Sequence, residues 1–469
     1  MKIYNTMSGK KENFLTQAPD AVKIYVCGPT VYNLIHVGNA RAMVVFDALR
    51  RYLLSLGLAV EYAQNYTDID DRIIRRAGEE GVPAPTIADR YIKEAEADMA
   101  GLNVMPPTFA PRVTNEIPEI TAMIQTLINK GHAYEKNGSV FYDTQSFPEY
   151  GKLSGKNLDE LNAGARVAVD AEKKSPADFV LWKPSKEGEP SYPSPWGGGR
   201  PGWHIECSVM AKKYLGATID LHAGGEDLIF PHHENEIAQS EAANGAVFSR
   251  YWAHVRHVNV DNKKMSKSTG NFFTVREVSG KYPYAVIRFL ILSSHYRSSV
   301  NFSEELMDSA LAAYTRVKNC AETLSRLLET AQSQALSPAE KENSGKIPGF
   351  KDSFSRAMED DLNTADAITA VFELVKFANT TANGESSRNY MSALKAALLE
   401  LCGILGVIIE EKPDFSPEEV KFIEEKIAER ARAKKDKNFT RADEIRSELL
   451  SKGFALEDTR QGVKYARAR

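Results

Sequence analysis

Apolar positions change their spacing along the chain, and each change marks a different kind of element. At 22–27 the residues are β-branched and apolar, Gly28-Pro29-Thr30 turns the chain, and Val45, Leu49, Leu53 and Leu56 then recur at helical spacing on one face. This predicts a strand, a loop and a helix in succession. A second strand is predicted at 60–67. From Pro111 onward, helical and mixed segments no longer continue the alternation, which predicts an insertion over 111–200. Between Pro184 and Gly202 there are five Pro and five Gly in nineteen residues, loop composition rather than element interior.

The alternation then resumes. Residues 219–222 read as a strand, Gly224-Gly225 as its turn, Pro231 as the first position of a helix and 251–260 as a further strand. The expected fold class is α/β, a Rossmann-like doubly wound parallel sheet over 1–300, interrupted by the insertion. Beyond Asn301 the pattern becomes that of long helices at 303–329, 348–358, 364–382 and 388–405, an α-helical bundle over 301–410 broken by a polar stretch at 331–346. Ser416-Pro417-Glu418-Glu419 is a capping box with proline at the first helical position, and a small C-terminal domain is expected over 411–469.

The 469 residues are 43% hydrophobic and 26% charged, ordinary for a globular protein of roughly three domains. Residues 1–13 mix Lys2, Lys10, Lys11 and Glu12 with polar residues, unlike a signal peptide. The best candidate for a membrane span, 285–294, contains Arg288 and is far short of the roughly 20 residues required. A cytoplasmic enzyme with no membrane partner is expected. Cys27, Cys207, Cys320 and Cys402 are too sparse for a disulfide framework, and the latter two fall on apolar helices where a structural role is expected. A net charge of −4 argues against indiscriminate nucleic-acid binding but allows local basic surfaces. One is at 431–469, with eleven Lys or Arg against six Asp or Glu, although charged tails are usually just solvated.

Candidate chemistry begins at Lys264-Met265-Ser266-Lys267-Ser268, a polar segment directly after a predicted strand. Two lysines on such a loop can close over a triphosphate and stabilise charge that develops when its α-phosphate is attacked. The bland alternative is an exposed basic turn. His36-Val37-Gly38-Asn39 lies at the start of the first predicted helix, where backbone N–H groups and the helix dipole attract phosphate. Alone it is weak evidence, and the pair is stronger than either member.

Together these segments match the two signature motifs of class I aminoacyl-tRNA synthetases, written HIGH and KMSKS. The resemblance narrows at Cys27-Gly28-Pro29-Thr30-Val31-Tyr32, Thr67-Asp68-Ile69-Asp70-Asp71, Gly202-Trp203-His204-Ile205-Glu206-Cys207 and Phe230-Pro231-His232-His233-Glu234-Asn235-Glu236. These resemble cysteinyl-tRNA synthetases over most of residues 20–300. Asn39 departs from the histidine of the general motif. An amide still donates hydrogen bonds but carries no proton charge, so a modest effect on ATP binding is expected.

Two thiols, an imidazole and a carboxylate at Cys27, Cys207, His232 and Glu236 form a plausible zinc set, the last two four apart on a predicted helix with His233 and Glu234 on its other faces. Spacing alone leaves open buried cysteines and a surface His-Glu pair. The resemblance implies that these four hold one zinc ion. No His-Glu-x-x-His arrangement occurs in that segment, which disfavours a hydrolytic centre. A metal that takes the thiol as thiolate would discriminate against serine by binding alone.

The resemblance further implies ATP as substrate with magnesium, L-cysteine, and tRNA(Cys) as partner. His36, Asn39, Lys264 and Lys267 would be catalytic, and His36, Gly38, Asn39, Asp227, Lys264, Ser266, Lys267 and Ser268 would hold ATP. Gly28, Thr67, Trp203 and His222 would surround the amino acid. Cysteine would be activated to cysteinyl adenylate and passed to the terminal tRNA adenosine. The Arg441-Ala442-Asp443-Glu444-Ile445-Arg446 segment resembles the anticodon-binding end of the family, where Tyr465 would either stack on a base or fill a small core. A monomer is expected. Two rivals differ in kind: a ligase that couples cysteine to an amino sugar, which has no need of 417–469, and a catalytically silent tRNA-binding paralogue, which has no need of intact His36, Lys264, Lys267 and ligands.

Overall fold

The computed structural model describes every residue except 158–171, 261–262, 265–272, 410–415, 437, 460–461 and 468–469. The chain forms two compact units, Met1–Ile409 and Glu410–Arg469.

At the centre of the larger unit lies a parallel sheet of four strands in the order Ser249–Val255, Ile219–Gly225, Ala21–Val26, Ala59–Gln64. Val22, Ile24, Val26, Leu221 and Ala223 are fully buried, as expected for parallel strands covered on both faces. From Ala21–Val26 the chain passes through the helix Val37–Ser55 to Ala59–Gln64 on one side, whereas Ile219–Gly225 joins on the other. This reversal opens a crevice at the carboxyl ends of the two inner strands, the usual ligand position in such sheets. Val45, Leu49 and Leu53 bury the predicted helix face, but Leu56 is its exposed C-cap because the chain turns at Gly57 (φ 84°).

Along the strands of the central sheet and their connections, sequence expectation and structure part at four places. The strand predicted to 67 ends at Gln64, and Thr67 instead bridges to Thr30. Gly224 and Gly225 are strand residues, paired with His254 and Val255, rather than a turn. Pro231 does not start an α-helix. It follows a cis bond to Phe230, whose backbone is extended (φ −138°, ψ 130°), as the residue before a proline prefers, and the α-helix runs Glu234–Asn244. The strand predicted over 251–260 is two: Ser249–Val255 stays in the central sheet, while Val258–Val260 pairs with Lys263–Lys264 and Val300–Phe302. The break falls at His257, whose backbone N–H and ring both bind Glu226.

Between the two halves of the central sheet stand the helix Ile117–Asn129 and an antiparallel sheet of Ala133–Lys136, Ser139–Tyr142, Phe179–Pro184 and Gly199–Pro201. The Gly/Pro-rich stretch is mostly loop, yet its end supplies the last of these strands. A hairpin, Lys2–Asn5 with Lys10–Asn13, escaped prediction because its second strand, Lys-Lys-Glu-Asn, is polar throughout. The long helices are Glu304–Thr330, Ile347–Glu359, Thr364–Thr381 and Arg388–Ile404, and the polar break holds a short one, Pro338–Ser344, capped by Ser337 and Glu340. They belong to the larger unit: buried Arg288 donates to Asp47 Oδ2 and to the Leu405 carbonyl. Cys320 and Cys402 are buried there.

The smaller unit pairs helices Pro417–Lys435 and Phe439–Ser451 with the hairpin Phe454–Thr459 and Gly462–Arg467 around Ile423, Ile445 and Leu449. Among the described residues no helix is long and apolar enough to cross a membrane.

Candidate functional site

Four donors from three segments meet at the crevice. Cys27 directly follows the strand Ala21–Val26, Cys207 lies in the first turn of the helix Ile205–Leu215, His232 precedes the helix Glu234–Asn244 and Glu236 lies in its first turn. Cys27 Sγ is 3.9 Å from Cys207 Sγ and 3.5 Å from Glu236 Oε1, which lies 3.1 Å from His232 Nε2. Ligands on a tetrahedral ion with 2.0–2.3 Å bonds lie roughly 3.3–3.8 Å apart, so the set fits a single zinc-sized ion. Its electrostatics fit as well. A hydrogen bond from Cys27, helped by His232, pulls the Cys207 thiol down to about 6. Burial opposes charge on His232, yet Glu236 and Cys207 lift it to about 10. Burial and Cys207 push the Cys27 thiol up. A cluster of buried acids that leans on a proton for its positive charge suits a dication.

His233, expected on another face, is also at this centre. Residues 229–233 form a π-turn rather than α-helix, which rotates the ring so that Nε2 lies 3.3 Å from Cys27 Sγ. Its Nδ1 meets His254 Nε2 at 2.8 Å, and His254 Nδ1 meets Thr6 Oγ1 at 2.8 Å. His222 is fully buried behind Glu236, with Nε2 2.9 Å from Oε2, and stacks on Trp252 at 4.5 Å between ring centres. Cys27, His222, His233 and Glu236 thus make an overlapping four-donor group. The group with two thiols is the softer and suits zinc better. Glu234 faces the insertion, accepting the Ser154 N–H at 2.8 Å.

Beside the donors is a cavity of about 410 Å³ bordered by Asp70, Asp71, Arg200, Trp203, His204 and Glu206. The Trp203 ring is tilted over His232 with centres 4.5 Å apart, and Arg72 lies over the rings of both Tyr32 and Trp203. The Thr67 hydroxyl donates to Glu206 Oε2 at 3.0 Å and accepts from Asn65 Nδ2 at 3.3 Å. Asn65 Oδ1 accepts the Gly28 N–H at 2.8 Å, and a Cβ on Gly28 would lie 1.6 Å from the Asn65 carbonyl oxygen. The glycine requirement at position 28 therefore comes from this close chain packing.

His36 is the N-cap of the helix Val37–Ser55, half-buried, with Gly38 and Asn39 in the first turn. The neighbouring segment is bound to it: Val37 N–H donates to the Phe273 carbonyl and Val275 N–H to the Ile35 carbonyl. Lys264, on the other side of 265–272, is held by backbone pairing with Asn259. Ser266, Lys267 and Ser268 lie outside the described residues, as does the side chain of Lys264. Buried Arg41, one turn beyond His36, donates to the carbonyls of Arg256, His257, His295, Tyr296 and Ser298. It thereby ties the helix Val37–Ser55 to the chain that leads into Val258–Val260 and to the turn at 295–298. Asp227 is exposed in the short turn after Ile219–Gly225, on the same edge of the sheet as His36. Sequence reading passed over Arg41, Asn65, His204, Glu206 and His254. His204 and Glu206 at least stand within a quoted motif, whereas Arg41 carries no local signal of burial.

Comparison with known proteins agrees with this geometry. Residues 13–312 match the family of tRNA synthetases class I (C) catalytic domains, and 353–410 match the DALR domain. The chain is 56% identical over 475 aligned residues to a cysteine–tRNA ligase of Lachnospira eligens, covering 100% of both. It is 50% identical to that of Clostridioides difficile, again covering 100% of each. Among solved structures, Mycobacterium tuberculosis methionyl-tRNA synthetase in complex with methionyl-adenylate has a TM-score of 0.59 at 13% identity, over 82% of this chain and 89% of that one. An Agrobacterium radiobacter LeuRS in ternary complex with tRNA and LeuAMS has a TM-score of 0.61 at 10% identity, over 84% and 85%. These two likenesses show the class I fold, and the sequence matches go further: the chain belongs to the cysteine–tRNA ligases, a family of class I aminoacyl-tRNA synthetases.

Proposed function

We propose that this chain joins the L-cysteine carboxylate to the α-phosphate of ATP, releasing pyrophosphate, and then transfers the cysteinyl group from AMP to a ribose hydroxyl of the 3′-terminal adenosine of tRNA(Cys). The observation that carries the reading is the converging set of two thiols, an imidazole and a carboxylate at the carboxyl end of Ala21–Val26, the strand that leads to the His36 helix terminus. Cys27, Cys207, His232 and Glu236 would hold zinc, which when bound supplies a soft Lewis acid that accepts a thiol as thiolate and rejects the harder, less acidic hydroxyl. His222 would orient Glu236. Trp203, Thr67 and the chain at Gly28 would border the amino acid.

His36, with Gly38 and Asn39, would take the triphosphate at the helix N-terminus, with magnesium on its oxygens. Lys264 and Lys267, with Ser266 and Ser268, would close over the same phosphates, and Asp227 would hold the ribose. No side-chain nucleophile is required, since positioning and charge stabilisation suffice. In this reading residues 1–300, with an insertion at 111–200, carry the chemistry, 301–410 meet the tRNA stem, and 411–469 meet the anticodon. Tyr465 packs against the Ile423 core, which supports the core-filling role over base stacking. The enzyme would act in the cytoplasm as a monomer.

Cysteine transfer onto total tRNA by the purified protein with ATP and magnesium, with serine as control, tests the proposal. Cysteine-only charging is the expected result. Adenylate formation with no tRNA product would favour the amino-sugar ligase, and tRNA binding without ATP turnover the silent paralogue.

A further inference from the structure

The cavity beside the candidate metal ligands is bordered by a buried acid, Glu206, that forms no ion pair among the described residues. Glu206 is 1% exposed, and Oε2 accepts the Thr67 hydroxyl. Among the described residues no hydrogen-bond donor reaches Oε1. The other acids bordering the cavity are neutralised: Asp70 by Arg72 at 2.8 Å, Asp71 by Lys183 at 3.3 Å and by Arg200. A buried acid held without a counter-ion costs free energy, which a cationic group arriving from the cavity would recover. The Thr67 hydroxyl cannot swing away to serve another group, because Asn65 fixes its acceptor side and Gly28 fixes Asn65. The acid is therefore preset in orientation.

We propose that Glu206, positioned by Thr67, receives the α-ammonium group of the amino acid, so that the site demands an α-amino thiol rather than a thiol alone. The inference rests on the cysteine-activation reading. Its geometric basis is adjacency: Glu206 borders the cavity together with Trp203 and His204, which touch the candidate ligand His232, and Cys207, which would help hold the thiol-binding ion, is the next residue in the chain. Cysteine carries its nitrogen and sulfur on neighbouring carbons. A ligand anchored through sulfur thus presents its ammonium within reach of the neighbouring carboxylate, while its own carboxylate points towards the nucleotide side. An ionic hydrogen bond in a dry site is stronger than a neutral one, which makes Glu206 a determinant of substrate class.

The test compares the unmodified protein with Glu206→Gln, using cysteine-dependent ATP–pyrophosphate exchange, inhibition by 3-mercaptopropionate, which is cysteine without its amino group, and zinc content. The expected result is a rise of at least about tenfold in KM for cysteine. Inhibition by 3-mercaptopropionate, KM for ATP and bound zinc should stay within about twofold, so that only discrimination between the two thiols is lost. Equal weakening of cysteine and 3-mercaptopropionate, an unchanged KM for cysteine, or loss of zinc would each overturn the proposal. Should Glu206→Gln fail to fold, Thr67→Val and Thr67→Ser carry it: the valine variant must lose the discrimination and the serine variant keep it. If the unmodified protein shows no cysteine-dependent exchange, the functional reading fails with it. If exchange is normal and only the discrimination is unaltered in the variants, this inference alone fails.

Discussion

Asn39 Oδ1 accepts the His36 N–H at 3.2 Å while His36 Nδ1 accepts the Asn39 N–H at 3.1 Å, a reciprocal cap that closes the first helix onto its own first turn. With Nδ1 an acceptor, the neutral imidazole carries its proton on Nε2 and offers it as a donor. The Asn39 backbone N–H thus sets the tautomer of the neighbouring ring, while the Asn39 side-chain oxygen holds the His36 backbone.

Asn39→Ala is therefore expected to remove about 1 kcal/mol of stability and to raise KM for ATP several-fold, whereas Asn39→Asp retains the acceptor and the stability. Thermal denaturation together with ATP–pyrophosphate exchange decides it. Unchanged values for the alanine variant would show that the cap positions nothing.

Cys207→Ser removes one thiol from the four-donor set and leaves the helix Ile205–Leu215 otherwise intact. Bound zinc per chain and cysteine activation should both fall, activation by at least about tenfold, with tRNA affinity unaltered. Metal analysis, pyrophosphate exchange and a tRNA binding titration read the three quantities. An equal loss of activation and tRNA binding would point to global damage instead.

How much of this was legible in sequence depends on the kind of signal. Val45, Leu49 and Leu53 announce their helix because a one-sided apolar face leaves a period, whereas Cys27, Cys207, His232 and Glu236 were singled out as a set only through motifs that resemble the family. The place of His233 did not show, since the extended Phe230 and the following π-turn rotate the ring away from where α-helical spacing would put it. Nor did Gly224, which spacing reads as a turn although the strand continues through it. A glycine fits there because the His233 ring and Leu228 already occupy the room a Cβ would need, at 3.0–3.1 Å. Arg41 looks like a surface residue of an amphipathic helix, and only the fold brings together the five carbonyls that bury it.

Replacement of Arg41 by Met keeps the length of the side chain but leaves those carbonyls without a donor. A loss of about 3–5 kcal/mol is expected, seen as a lower melting temperature. Arg41→Lys can satisfy fewer acceptors and should fall between. If Arg41→Met melts like the unmodified protein, water must replace the guanidinium, and the tie between the first helix and the chain that leads into Val258–Val260 is weak.

Glu340 caps Pro338–Ser344 through the Ser337 N–H and reaches across to the Ser387 N–H at the start of Arg388–Ile404. Burial opposes its ionisation, but these bonds hold its carboxyl below the ordinary value. A depressed acid contributes stability that is fully present above its unfolded pKa, about 4.3, and is lost as pH falls through the lower folded value. Glu340→Gln should therefore melt below the unmodified protein at pH 7, with the gap closing by pH 3. A gap independent of pH would assign the effect to shape alone.

The insertion that splits the central sheet also sets an order of events during synthesis. Cys27 and Cys207 are separated by 180 residues, and His232 and Glu236 follow later still. A nascent chain therefore exposes one soft ligand long before it owns a second, and a single thiol binds a dication poorly. An ion bound at this centre would have to wait until both halves of the sheet have closed around the insertion, so that a loaded site would also report an assembled catalytic body.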